Sequence, residues 1–235
     1  MANSIFTFKQ FEITQANAAH KVGTDSVLLA AWANIQYAAK VLDIGAGTGL
    51  LSLMVAQRNE KVNIDAIEID EKTMIDLCIN VKKSPFTNQI NPILSDFFKH
   101  QFANTYNYFI LNPPYFDGTP FLINANRLNA RHKTQFSWNL FFEKCKALSS
   151  PNAIIGFIVP FQNHENILHI ANAAGYKLLN SLQIKSFENS QVIRICIELS
   201  LECNSFTKQE LVIYNNDKTY TNAYKLLTKD FYLNF

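Results

Sequence analysis

No stretch of this chain is apolar for long enough to cross a bilayer. Met1 to Gln15 alternates apolar and polar side chains where a secretion signal would need an unbroken apolar run. Four cysteines are scattered at Cys78, Cys145, Cys196 and Cys203, with no Cys-x-x-Cys pair and no metal-ligand spacing. That pattern excludes a thiol redox pair or a zinc module and reads as reduced thiols in a soluble cytoplasmic protein without a metal. Charge of one sign is lacking as well. The formal net charge is only +2, so a polyanionic partner would have to be held by a local patch. Repeats and low-complexity linkers are absent too. What is there is 235 residues, 48% hydrophobic and 17% charged, enough for one substantial α/β core without a second domain.

Glycine is scarce, and three of the seven glycines fall together after a short strand. Val41-Leu42-Asp43-Ile44 is an apolar run around an acid; it ends in Gly45-Ala46-Gly47-Thr48-Gly49, and Leu50 to Gln57 then has helical spacing. Strand, glycine turn and helix describe a nucleotide-binding βα unit, in which missing Cβ atoms let a ligand approach the backbone. A dinucleotide fold wants Gly-x-Gly-x-x-Gly and a pyrophosphate on the helix N-terminus. Here the third glycine comes one residue early, Leu50 takes its place, and Asp43 leads the turn. A carboxylate there repels a pyrophosphate but binds an ammonium or a hydroxyl, which favours S-adenosylmethionine over a nicotinamide dinucleotide. A second strand, Ile64 to Asp70, ends in acids about twenty residues further on, where a ribose-binding carboxylate belongs. Glu68 is the candidate for the vicinal hydroxyls. Asp70 reads as the N-cap of the next helix, and is kept among the cofactor-binding candidates.

Strands and helices alternate along most of the chain. An extended arm over Phe6 to Ile13 precedes Lys21-Val22-Gly23-Thr24-Asp25 and a helix from Ser26 to Trp32, with Thr24 or Asp25 as its cap. Helix Glu71 to Lys83 is stopped by Pro85, and strands follow at Ile90 to Leu94 and Tyr108 to Leu111. Phe116 to Ser137 has loop chemistry. Helix Trp138 to Leu148, strand Ala153 to Val159 and helix Asn163 to Ala174 restore the alternation. Late strands at Leu178 to Ile184, Gln191 to Leu199 and Phe206 to Tyr214 precede a closing helix from Thr221 to Thr228. Alternation predicts a largely parallel sheet, and the late run of neighbouring strands predicts an antiparallel edge. Trp32 and Trp138 read as core.

The strand at Tyr108 is cut off by Asn112-Pro113-Pro114-Tyr115. In an open parallel sheet ligands sit beyond the C-terminal ends of the strands, so Asp43, Glu68, Asp96 and Asn112 can share one cleft. Asn112 offers a side-chain carbonyl, and the prolines offer backbone carbonyls on a rigid chain. Tyr115 offers a flat ring. This set suits a planar NH2 group conjugated to a π-system, whose two N–H bonds need two fixed acceptors as the nitrogen becomes pyramidal during attack. The ring of Tyr115 would stack on an extruded base. Phe97, after Asp96, is either a wall for the cofactor's adenine or simple core. Arg127, Arg131, His132 and Lys133 are either phosphate contacts in an RNA loop or a solvated basic loop.

Lys21 to Asp25, then Asp43 to Leu51, then Asn112 to Tyr115, with the tail Tyr220-Thr221-Asn222-Ala223-Tyr224 and Phe231-Tyr232-Leu233, resemble the bacterial tRNA(Val) adenine-N6 methyltransferases. The resemblance runs from about Phe8 to Phe235. It implies a Rossmann-like class I methyltransferase, with a seven-stranded, mostly parallel sheet, an antiparallel edge and helices on both faces. Residues 1–35 would form an arm and helix, and 36–235 the catalytic core of a single domain. The implied reaction moves a methyl from S-adenosylmethionine to N6 of the adenosine 3′ of the anticodon. The implied roles are cofactor contact for Asp43, Gly45, Gly47, Glu68 and Asp96, and base contact for Asn112, Pro113, Pro114 and Tyr115; Asn112 is also kept among the cofactor-binding candidates. Lys21, Gly23, Thr24 and Asp25 would close over the methionine end. The expected partner is the anticodon stem-loop of a tRNA, bound by a monomer. Ribosomal RNA methylation, protein-glutamine methylation and a non-catalytic RNA-binding role are the rival readings. The glutamine enzymes carry an N-terminal helical domain, and here fewer than about forty residues precede the first strand.

Overall fold

The computed structural model describes residues 5–18, 21–113, 136–203 and 205–235. In chain order the elements are β1 (Ile5–Thr7), β2 (Glu12–Thr14), α1 (Thr24–Trp32), β3 (Lys40–Ile44), α2 (Leu50–Arg58), β4 (Asn63–Glu68), α3 (Glu71–Lys83), β5 (Ile90–Leu94) and β6 (Tyr106–Leu111). They continue as α4 (Trp138–Leu148), β7 (Ser149–Pro160), α5 (His164–Ala173), β8 (Lys177–Lys185), β9 (Val192–Ser200), β10 (Thr207–Val212) and α6 (Asn222–Thr228). β1 and β2 form a separate antiparallel hairpin. The other strands make one sheet of eight, in the order β10-β8-β9-β7-β6-β3-β4-β5.

Two expectations about the sheet are corrected here. It has eight strands, not seven, because β10 adds to it beyond β8. The antiparallel strand is not at the edge: β9 runs against both β7 and β8 inside the sheet, whereas the edge strand β10 pairs parallel with β8. Both sides of β9 are taken by β7 and β8, and β10 joins the outer side of β8.

Alternation along the strands divides the apolar residues between two cores. Val41, Ile64, Ala66, Tyr108 and Ile110 pack with α1, α2 and α3, while Leu42, Ile44, Ile67, Phe109 and Leu111 pack with α4 and α5. The same period places Asp43, Glu68 and Asn112 on the face carrying α1 to α3. Trp138 is buried as expected, but Trp32 is only half-buried and its indole N–H donates to Gln209 Oε1 at 2.7 Å.

The N-terminal hairpin is docked at both of its ends. Asn80 on α3 accepts from Thr14 N at 2.7 Å and donates to the carbonyls of Thr14 and Thr48, both at 2.9 Å, which joins the arm to the glycine turn. One helical turn earlier, fully buried Asp76 accepts from the backbone of Asn17 and Ala18 at 2.7 and 3.0 Å. At the other end, Lys9 Nζ donates to the carbonyls of Lys229 and Phe235, and the rings of Phe8 and Tyr232 stack at 5.9 Å. The tail motif is thus a packing device. Thr221 caps α6, and Tyr220 lies flat on Tyr224 with their centroids 4.8 Å apart.

Candidate active site

The glycine turn leaves the end of β3 with Gly45, Gly47 and Gly49 at φ +68°, +58° and +84°, a region that only glycine enters without strain. At Gly49 a Cβ would also strike Leu77 of α3. Asp43 is completely buried. Its Oδ2 accepts from the backbone N–H and hydroxyl of Ser52 at 3.1 and 2.6 Å, while Oδ1 has no partner among the described residues. Burial pushes its pKa up to about 7; the Ser52 bonds oppose that shift and the charge of Glu68 adds to it.

Glu68 closes the end of β4 onto the glycine turn. Oε2 accepts from Gly47 N at 2.9 Å, and Oε1 from the N–H groups of Ile69 and Asp70, both at 2.8 Å. A carboxylate has about four acceptor sites, so three backbone donors leave room for a ligand hydroxyl. Asp70 caps α3 by accepting from Thr73 N at 2.7 Å, a bond that also holds its carboxyl below the usual carboxylate range.

Beyond these strand ends lies a cleft of about 200 Å³. Ile44, Gly45, Ile67 and Ile69 form one side; Ser95, Asp96, Phe97 and Phe98 form the second; Leu111, Asn112, Pro113 and Phe136 form the third. Asp96 Oδ1 accepts from Phe98 N at 2.8 Å, which shapes the turn after β5. Phe97 is both core and wall: it is 7% exposed, packs against Phe141 and lines the cleft. Asn112 donates from Nδ2 to Ser26 Oγ at 2.8 Å, so a residue of α1 holds the nitrogen end of its amide.

The cap expected at α1 is corrected. The helix begins at Thr24 behind Gly23, which supplies no side-chain bond. Asp25 instead accepts from Arg194 Nε of β9 at 2.8 Å. Lys21, Gly23 and Thr24 are exposed near this helix start; of the expected cofactor contacts, Gly45, Asp96, Phe97 and Asn112 line the cleft, whereas Lys21, Gly23, Thr24, Asp25, Asp43, Gly47, Glu68 and Asp70 do not. Pro114, Tyr115, Arg127, Arg131, His132 and Lys133 lie outside the described residues.

This chain is 38% identical over 232 residues to the tRNA1(Val) (adenine(37)-N6)-methyltransferase of Aliivibrio salmonicida, covering 99% of each chain. It is 36% identical to the enzyme of the same name from Vibrio vulnificus, over 97% of this chain and 95% of that one. The chain belongs to this methyltransferase family. A family model described as "Methyltransferase small domain" matches residues 15–130. Among solved structures, a predicted O-methyltransferase from Agrobacterium tumefaciens superposes with a TM-score of 0.70 at 17% identity, over 88% of this chain and 96% of that one, and so shares its fold.

The Oδ1 of Asp43 is offered no donor among the described residues, and the glycine turn presents backbone without Cβ atoms. S-adenosylmethionine, with an amino group and no phosphate, fits that donor set. Sequence reasoning missed Ser26, Ser52 and Phe136. Ser26 follows the Lys21–Asp25 motif directly, but its partner is 86 residues away in the chain. A larger polar hollow of about 260 Å³ lies at Arg58, Asn180 and Glu198. The Glu198 carboxylate there accepts from Asn34 N, the Tyr108 hydroxyl and Asn180 Nδ2, bonds that tie the end of α1, β6 and β8 to β9 and give it a structural role.

Proposed function

We propose that this chain transfers a methyl group from S-adenosylmethionine to N6 of adenosine 37 in tRNA(Val), acting in the cytoplasm as a monomer. The observation that carries the reading is the Asn112 amide, held from its nitrogen end by Ser26 at the edge of the cleft walled by Gly45, Asp96 and Phe97. When bound, S-adenosylmethionine supplies a methyl group on a sulfonium. Asp43 and the glycine turn would hold its methionine end, Glu68 its ribose and Asp96 with Phe97 its adenine. Asn112 Oδ1 and the Pro113 carbonyl would accept the two N6–H bonds. They thereby favour the pyramidal nitrogen whose lone pair attacks, and the proton leaves once that nitrogen is cationic. In-line alignment supplies much of the remaining rate. Tyr115 would stack on the flipped base, and Arg127, Arg131, His132 and Lys133 would meet RNA phosphates.

The reading is tested by methyl transfer from labelled S-adenosylmethionine into total tRNA, ribosomal RNA and a release-factor protein, followed by nucleoside and amino-acid analysis. Label is expected in tRNA, as N6-methyladenosine. Label in ribosomal RNA or in protein would replace the substrate, and no label at all would favour a non-catalytic RNA-binding role.

Asp43 makes cofactor binding pH-dependent. Its folded pKa lies above the ordinary 3.8, so its contribution to stability is complete below that value and is lost as pH rises through about 7. Ionised, it gains an ammonium partner from the cofactor. Affinity is therefore expected to rise between about pH 6 and pH 7, and a binding-induced proton release should be measurable by calorimetry in buffers of different ionisation enthalpy. Asp43→Asn should bind more weakly and lose this pH dependence. A variant that keeps the wild-type profile would assign the proton to another group.

A further inference from the structure

We propose that Lys144 of α4 is a positioning residue for the adenine subsite, clamping the turn after β5 that carries Asp96, Phe97 and Phe98. Its Nζ donates to the carbonyls of Phe98 and His100 at 2.9 and 2.8 Å, and no other described donor reaches either oxygen. The ammonium also lies 5.3 and 5.4 Å from the ring centroids of Phe97 and Phe102. Two carbonyl dipoles and two π-faces thus converge on one charge. Burial lowers the pKa of the amine, while the nearby Asp96 carboxylate opposes the shift.

The turn's other backbone bonds are local or lead back to the end of β4. Between Ser95 and His100, Ser95 N donates to Glu68 O at 2.9 Å, Phe98 N to Asp96 Oδ1 at 2.8 Å, and Lys99 N and His100 N to Asp96 O at 3.1 and 2.9 Å. Asp96, Phe97 and Phe98 all line the cleft, so the placement of that wall depends on a side chain from a different element. Asn112 follows β6 and Ser26 stands on α1, whereas the hydrogen bonds and ring contacts described for Lys144 go to Phe97, Phe98, His100 and Phe102. Loss of the ammonium should therefore loosen cofactor binding and leave the chemical step alone.

This inference rests on the assignment of the cleft to S-adenosylmethionine, and its test separates the two. Binding of S-adenosylhomocysteine, measured by calorimetry, needs no methyl acceptor. Lys144→Met keeps the aliphatic stem and removes the charge. It is expected to weaken that binding about tenfold and raise the KM for S-adenosylmethionine by a similar factor, with kcat within about twofold of wild type. Lys144→Arg, which can still donate to both carbonyls, should recover most of the loss. Unchanged binding in Lys144→Met would overturn the proposal, as would a fall in kcat at constant KM. If Lys144→Met does not fold, Lys144→Gln, which keeps one donor group, is read in the same way. Wild-type protein that fails to bind S-adenosylhomocysteine would remove the cofactor assignment and this inference with it. Binding without methyl transfer to any RNA would remove only the proposed reaction.

Discussion

Asn112→Ala is expected to lower kcat by about a hundredfold or more, equivalent to about 2.7 kcal/mol of transition-state stabilisation, while the affinity for S-adenosylhomocysteine stays within about threefold. The split follows from where the groups stand. The first two walls of the cleft come from the ends of β3, β4 and β5, and truncating Asn112 leaves those strand ends in place. Asn112 follows β6, where its amide would accept an N–H bond that strengthens only as the target nitrogen becomes pyramidal. Ser26→Ala should have a smaller effect of the same kind, because the amide stays but loses the hydroxyl that holds its nitrogen end. Single-turnover kinetics and calorimetry on the same preparations would check both. If binding falls in step with turnover, Asn112 belongs to the cofactor's site and not to the base's.

Those residues were legible in the sequence because each stands at or just beyond the C-terminal end of a strand, and strand ends are marked by local signals. An apolar run stops at an acid, a glycine or an Asn-Pro pair, and Asp43, Glu68 and Asn112 all follow that rule. Helix α3 was readable over its full length for a similar reason: its apolar spacing, its Asp70 cap and Pro85 are all within one short window. What could not be read depends on partners far away in the chain. The direction and neighbours of β9 are set by β7 and β8 together, and its own alternation looks the same whichever way it runs. The start of α1 was misread because Asp25, a good cap by residue type, is engaged by Arg194 from β9. Ser26 and Lys144 carry no local pattern at all. Glu198, inside the alternating run Ile195 to Leu199, gives the signal of a solvent-facing polar position, yet it is 1% exposed.

That buried glutamate carries the second large effect. Its Oε1 accepts from the Tyr108 hydroxyl and from Asn34 N, both at 2.6 Å, and Oε2 accepts from Asn180 Nδ2 at 2.7 Å. The Tyr108 phenol is pushed well above its ordinary pKa, first by burial and then by the Glu198 charge, so it remains a donor throughout the physiological range. Tyr108 also crosses the sheet at Gly156, where any Cβ would overlap its hydroxyl. Glu198→Ala would strand three donors and remove the carboxylate whose charge favours the protonated Arg58 guanidinium, itself bonded to the carbonyls of Ala30 and Ala33 at 2.6 and 2.7 Å. Breaking such a buried cluster costs about 3–5 kcal/mol, which for a chain of this size lowers Tm by roughly 10 °C. Glu198→Gln, which keeps the shape and one acceptor, should lose about half as much. The consequence reaches the site. Asn34 lies just past the end of α1 and Tyr108 lies in β6, and the same two parts of the fold meet again where Ser26 holds Asn112. Helix α1 is therefore fastened to the sheet at both ends, and releasing one end should loosen the other. A fall in kcat of about threefold is expected in Glu198→Ala at temperatures well below its Tm, without a matching loss of cofactor affinity. A Tm within about 2 °C of wild type would show that the cluster contributes little to stability. A normal kcat alongside a lowered Tm would confine its role to holding α1 down.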